Sequence, residues 1–172
     1  MDITLREFDG NRTISTELDI KPRSIEISYD LSEIDEILMP HKQVLVRENE
    51  LWKSTCMELF LKDVKESNYK ELNVSLDGKW NAYEFSGYRT EMEKSRRVIV
   101  SEVKSLDTNV FWVRFEFLDK LASQLLINPA SVIKNTHEGV TYFASAHQER
   151  PDFHSFNSSA HFCLSEDLLH EL

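Results

Sequence analysis

A chain of 172 residues, 41% hydrophobic and 29% charged, is long enough for one sizeable core and too apolar to be disordered. Its formal net charge of −10 sets it against phosphate backbones and anionic lipids, so nucleic acid and membranes are not expected partners. Four glycines, none in a GxGxxG or GxxxxGK arrangement, argue against a phosphate-cradling loop.

The first ten residues, "MDITLREFDG", carry no basic patch followed by an apolar run, so no signal peptide is expected. Nor does any apolar run approach the roughly 20 residues that span a bilayer. Cys56 and Cys163 form no close pair and no metal knuckle. Together these features place the chain in the cytoplasm, with pairing of the two cysteines left open.

Along the chain the dominant period is two. Ile14, Thr16, Leu18 and Ile20 share one face, and Ile25, Ile27, Tyr29 and Leu31 share another. Further strands are expected at 42–47, 55–62, 69–76, 79–86, 97–103, 109–117, 139–147 and 159–164. Asp77-Gly78 marks a short hairpin turn, and "INPAS" and "RPDF" read as turns. Helices are few: "DKLASQLL" with Asp119 as N-cap, "SEDLLHEL" with Ser165, and a turn around 32–38. The pattern predicts one all-β domain over residues 1–172. Its expected form is a single antiparallel, jelly-roll-like β-sandwich with Leu59, Leu72, Val74, Phe115 and Phe117 in the core.

Three strands have a second face that is not merely wet. Cys56, Glu58 and Phe60 oppose Met57, Leu59 and Leu61, while Tyr69, Glu71, Asn73 and Ser75 oppose Leu72, Val74 and Leu76. In 139–147, Val140, Tyr142, Ala144 and Ala146 are assigned to the core, and Thr141, Phe143, Ser145 and His147 to the polar face. Carboxylates, an amide, an imidazole and aromatic rings on one face describe a ligand surface better than a solvated one. The loop "AHQERPDFH" adds two histidines, an arginine and two acids at its edge.

"ELWKSTCMELFL", "YKELNVSLDGKWNAYEFSGYRTEM" and "YFASAHQERPDFH" resemble segments of the DOMON-like β-sandwich proteins, relatives of the family nine carbohydrate-binding modules. The resemblance runs with gaps from about Ile25 to the C-terminal strand. It implies a sugar cleft on one sheet, with Trp52, Glu58, Glu71, Asn73, Trp80, Tyr83, Arg89, His147, Asp152 and His154 as ligand residues. Extracellular relatives carry a structural calcium, but no oxygen-rich calcium loop is evident here. Haem, which some DOMON domains hold through Met and His, is not expected, because Met57 alternates with the core face. No cofactor is therefore assigned, with calcium left open by the resemblance.

Sugar chemistry suits this set. A pyranose stacks its C–H face on tryptophan or tyrosine, while its hydroxyls need paired donors and acceptors. Non-catalytic binding of a small polar ligand, most simply a carbohydrate, is the expected function. The rival is a metal-assisted or acid–base hydrolase using His147, Asp152 and His154 with Glu58, or Glu58 and Glu71 as paired acids. A Cys56–His147 nucleophile pair lacks any oxyanion feature. The third reading is a protein-interaction module presenting an aromatic patch.

Overall fold

The computed structural model describes residues 1–35, 37, 39–40, 42–107, 109–135, 139–147, 149–157 and 159–164. Its strands are β1 (Asp2–Glu7), β2 (Thr13–Lys21), β3 (Ser24–Asp30), β4 (Val46–Arg47), β5 (Cys56–Asp63), β6 (Tyr69–Val74) and β7 (Lys79–Phe85). They continue with β8 (Glu93–Lys94), β9 (Val98–Asp107), β10 (Val110–Phe117), β11 (Gln124–Asn135), β12 (Gly139–Ala144) and β13 (Ala160–Cys163). Among the described residues the only helical element is a 3₁₀ turn, Leu51–Lys53.

The all-β class follows the period-two pattern, but the layers differ from the expected sandwich of two sheets. Hydrogen bonding is continuous in the order β4-β7-β6-β5-β11-β12-β1-β2-β3-β10-β9, with β13 on β11 and β8 on β7. One strongly curled sheet results, because β11 joins β5 on one side to β12 on the other. Its two ends approach one another: Arg47 Nη2 donates to Val98 O at 2.8 Å, and Ser95 N to Ala82 O at 2.8 Å.

The core fills the inside of the curl. Ile14, Leu18, Ile20, Ile25, Ile27, Tyr29 and Leu31 are buried there, as the alternation predicts. So are Leu59, Leu72, Val74, Phe115 and Phe117. Truncating any of these leucines to alanine costs about 2–5 kcal/mol.

Several expectations need correction. The segment "DKLASQLL" forms no helix: Asp119 pairs with Arg97, and Gln124 onward is strand. "INPAS" is not a turn but the middle of β11. A proline there is tolerated because pairing with β13 ends at Ile127 and pairing with β12 begins at Ala130. On that side no strand pairs with Pro129, whose missing N–H is therefore not required. β1 was not anticipated, and of 42–47 only Val46–Arg47 is strand. The expected C-terminal helix at Ser165 lies outside the described residues. The hairpin at Asp77-Gly78 forms, with Gly78 at φ 86° donating to Ser75 O at 2.9 Å. A Cβ on Gly78 would meet the Val44 backbone at 3.0 Å, so both conformation and space favour glycine there.

Candidate ligand cleft

Alternation on β5, β6 and β7 gives the sheet a second apolar layer on its outer side. Cys56 and Phe60, Tyr69, and Tyr83 and Phe85 pack there with Ala130 and Val132 of β11 and Ala144 of β12. Leu51 of the 3₁₀ turn and Phe153 of the 150–157 loop cover this layer. The loop is pinned by Asn128, whose Nδ2 donates to Phe153 O at 2.9 Å, and by Phe153 packed between Phe60 and Tyr142.

Between these covers lies a cleft of about 710 Å³. Glu58 and Glu71 form its floor, Trp52, Tyr142 and Phe153 its walls, and Arg89 and Arg150 also line it. Trp52 meets Tyr83 edge to face at 5.6 Å between ring centroids.

The carboxyls are buried, Glu58 3% and Glu71 5% exposed. They stand on the same face of neighbouring strands, Glu58 opposite Asn73 and Glu71 opposite Phe60. Burial, then the charge of Glu71, pushes the Glu58 carboxyl well above the ordinary carboxylate range, with Arg89 opposing. Burial also raises Glu71, against the Asn73 amide, which donates to its Oε1 at 2.7 Å, and against Arg89. Such a pair keeps a proton to higher pH than solvated glutamates do.

A polar clamp closes one end. Tyr69 Oη lies 2.6 Å from His154 Nδ1 and accepts from Arg89 N at 3.2 Å. Arg89, in left-handed backbone at φ 53°, sends Nη2 to Asp152 Oδ1 at 3.1 Å, and Tyr88 Oη donates to Asp152 Oδ2 at 2.7 Å. Burial, then Arg89, lowers the His154 pKa to about 4, with Asp152 opposing. His154 Nε2 is 3.8 Å from Glu71 Oε2, but a ring that stays neutral down to about pH 4 does not make this an ion pair near neutral pH. Burial pushes the Tyr69 hydroxyl up to about 12, which rules out an easily formed phenolate.

Of the ten residues read from the sequence, Trp52, Glu58, Glu71, Arg89 and His154 line this cleft. Asn73 and Tyr83 stand on the same face through their contacts with Glu71 and Trp52, and Asp152 anchors Arg89. Two do not belong. Trp80 is 7% exposed in the core inside the curl, with the Arg47 guanidinium 4.2 Å from its ring centroid. Three positions apart on one strand, Trp80 and Tyr83 must face opposite ways. His147 turns elsewhere too: its ring packs edge to face on Phe8, and Nε2 lies 2.6 Å from Arg6 O.

β12 also has the reverse parity, with Phe143 in the core and Tyr142 on the cleft wall. Phe85, Met92, Val132, Tyr142, Arg150, Pro151 and Phe153 are the lining residues that sequence reasoning missed. Among the described residues no three His, Cys, Asp or Glu side chains are grouped to hold a metal ion. Cys56 is fully buried, and His147 does not face it.

No family model matches the chain, and no curated protein matches it either. Its fold is similar to the crystal structure of a Bacteroides uniformis protein whose description proposes carbohydrate binding. The TM-score is 0.62 at 10% identity, covering 95% of this chain and 84% of that one. At that identity the likeness shows a shared fold, of a type also found in a protein so described.

Proposed function

We propose that the chain is a non-catalytic binding protein for a small polyhydroxylated ligand, most simply a carbohydrate. The observation that carries this reading is the cleft of about 710 Å³, with aromatic walls at Trp52 and Tyr142 over buried acceptors at Glu58 and Glu71. The walls suit the C–H face of a sugar ring, and the acceptors suit its hydroxyls. The structural neighbour and the resemblance to DOMON-like proteins and family nine modules point the same way. A thermal-shift screen of sugars, sugar phosphates and divalent metals against the purified protein tests it. A rise in melting temperature with sugars supports it; a rise with metals alone moves the reading to a metal-dependent hydrolase.

A further inference from the structure

We infer that the preferred ligand carries a protonated primary amine beside its hydroxyls, as in an amino sugar, with the ammonium held between Glu58 and Glu71. This rests on the sugar reading above and narrows its ligand class. The cleft floor is rich in hydrogen-bond acceptors, two carboxyls backed by a buried amide oxygen. The Glu58 carboxyl lines the cleft at 3% exposure and makes no hydrogen bond with another described residue. Opposite it in register, Asn73 is fully buried, its amide nitrogen given to Glu71 and its Oδ1 without a partner. Arg89, the cation that acts on both carboxyls, has its guanidinium committed to Asp152.

A hydroxyl brings one donor and no charge to such a floor. An ammonium brings three donors and the charge that two buried carboxyls lack. Binding then has a proton signature. Burial holds the pair's proton to higher pH than in solvated glutamates; where it is held, entry of R–NH₃⁺ turns Glu–COOH into Glu–COO⁻ against the ammonium, and H⁺ passes to the buffer.

The groups that bear on this site come from every neighbouring element. They are Cys56 on β5, Tyr69 and Asn73 on β6, Tyr83 on β7, Tyr142 on β12, Arg89, and Arg150, Asp152 and His154 from the loop. From inside the curl, Tyr29 Oη donates to the Glu58 backbone carbonyl at 2.9 Å.

The test is calorimetric titration of the full chain at about pH 6, where an amine is still charged, in two buffers of different ionisation enthalpy. The probes are D-glucosamine, D-glucose and cyclohexylamine. Glucosamine should bind about tenfold or more tightly than glucose, with a buffer-dependent enthalpy that reports proton release. Glu58→Gln, and Glu71→Gln as a second variant, should bring that ratio towards one, with melting curves confirming that each folds. Equal affinity for glucose and glucosamine overturns the amine inference and leaves the sugar reading standing. Cyclohexylamine as tight as glucosamine, with glucose silent, upholds the ammonium site and removes the sugar reading. Silence from all three probes overturns both.

Discussion

Tyr69 Oη and His154 Nδ1 lie 2.6 Å apart, and this contact joins the sheet to the loop that covers it. The hydroxyl also accepts from Arg89 N; where it donates its own proton to Nδ1, His154 carries its hydrogen on Nε2, facing Glu71. Tyr69→Phe leaves the Arg89 N–H and His154 Nδ1 without this partner. The expected cost is about 1–3 kcal/mol in urea unfolding, together with weaker ligand binding. Unchanged stability and affinity in this variant would show that the clamp does not position the cleft.

The His154 ring gives a pH dependence whose sign is fixed. It stays neutral in the folded chain to about pH 4, whereas an unfolded histidine takes its proton near pH 6.5. Between those values the unfolded chain binds the extra proton, so acidification removes stability, by up to about 3 kcal/mol across the window. In His154→Phe this acid loss should shrink relative to the parent, as unfolding free energies at a series of pH values will show. An identical pH profile in the two proteins would contradict a buried, neutral His154.

The buried acids act with the opposite sign. Their raised folded-state pKa makes the native state the better proton binder above the unfolded glutamate value near 4.3, so stability falls as pH rises. Glu58→Gln removes one ionisable group of the pair while keeping its shape. Its melting temperature should match the parent near pH 4 and exceed it progressively as pH rises. A variant that is less stable than the parent at high pH would mean that Glu58 is ionised and well paired.

Much of this site could be read from period two, and the failures have physical causes. The opposed faces of 56–61 and 69–74 were legible because one face is aliphatic and the other holds Glu58, Glu71 and Asn73. In 139–144 both faces are apolar, because Tyr142 meets Phe153 on one side while Phe143 enters the core on the other. Alternation alone therefore could not tell them apart. β11 was hidden by its helix-forming start and by Pro129, which is acceptable only where β13 gives way to β12. That is a feature of long-range pairing and leaves no local mark. Trp80 was avoidable, since its spacing from Tyr83 already put it on the other face. His147 was not, because its contact with Arg6 spans 141 positions.

Trp80 and His147 supply the contrast with the cleft. Trp80→Ala should destabilise by about 3–5 kcal/mol through lost core packing, while the protein that remains folded keeps its affinity. His147→Ala should leave affinity unchanged, because its ring lies against Phe8 and Arg6 rather than the ligand face. Loss of binding in His147→Ala with an intact fold would move the ligand site towards β1.

The most direct measurement is a calorimetric titration of the parent and Trp52→Ala with the sugar that raises the melting temperature most. Trp52 is half-buried on the cleft wall, so its loss should leave the melting temperature nearly unchanged while removing a stacking surface. Saturable binding by the parent, weakened about tenfold in Trp52→Ala (roughly 1.4 kcal/mol), is the expected result. The same dissociation constant in both proteins would contradict this cleft as the binding site.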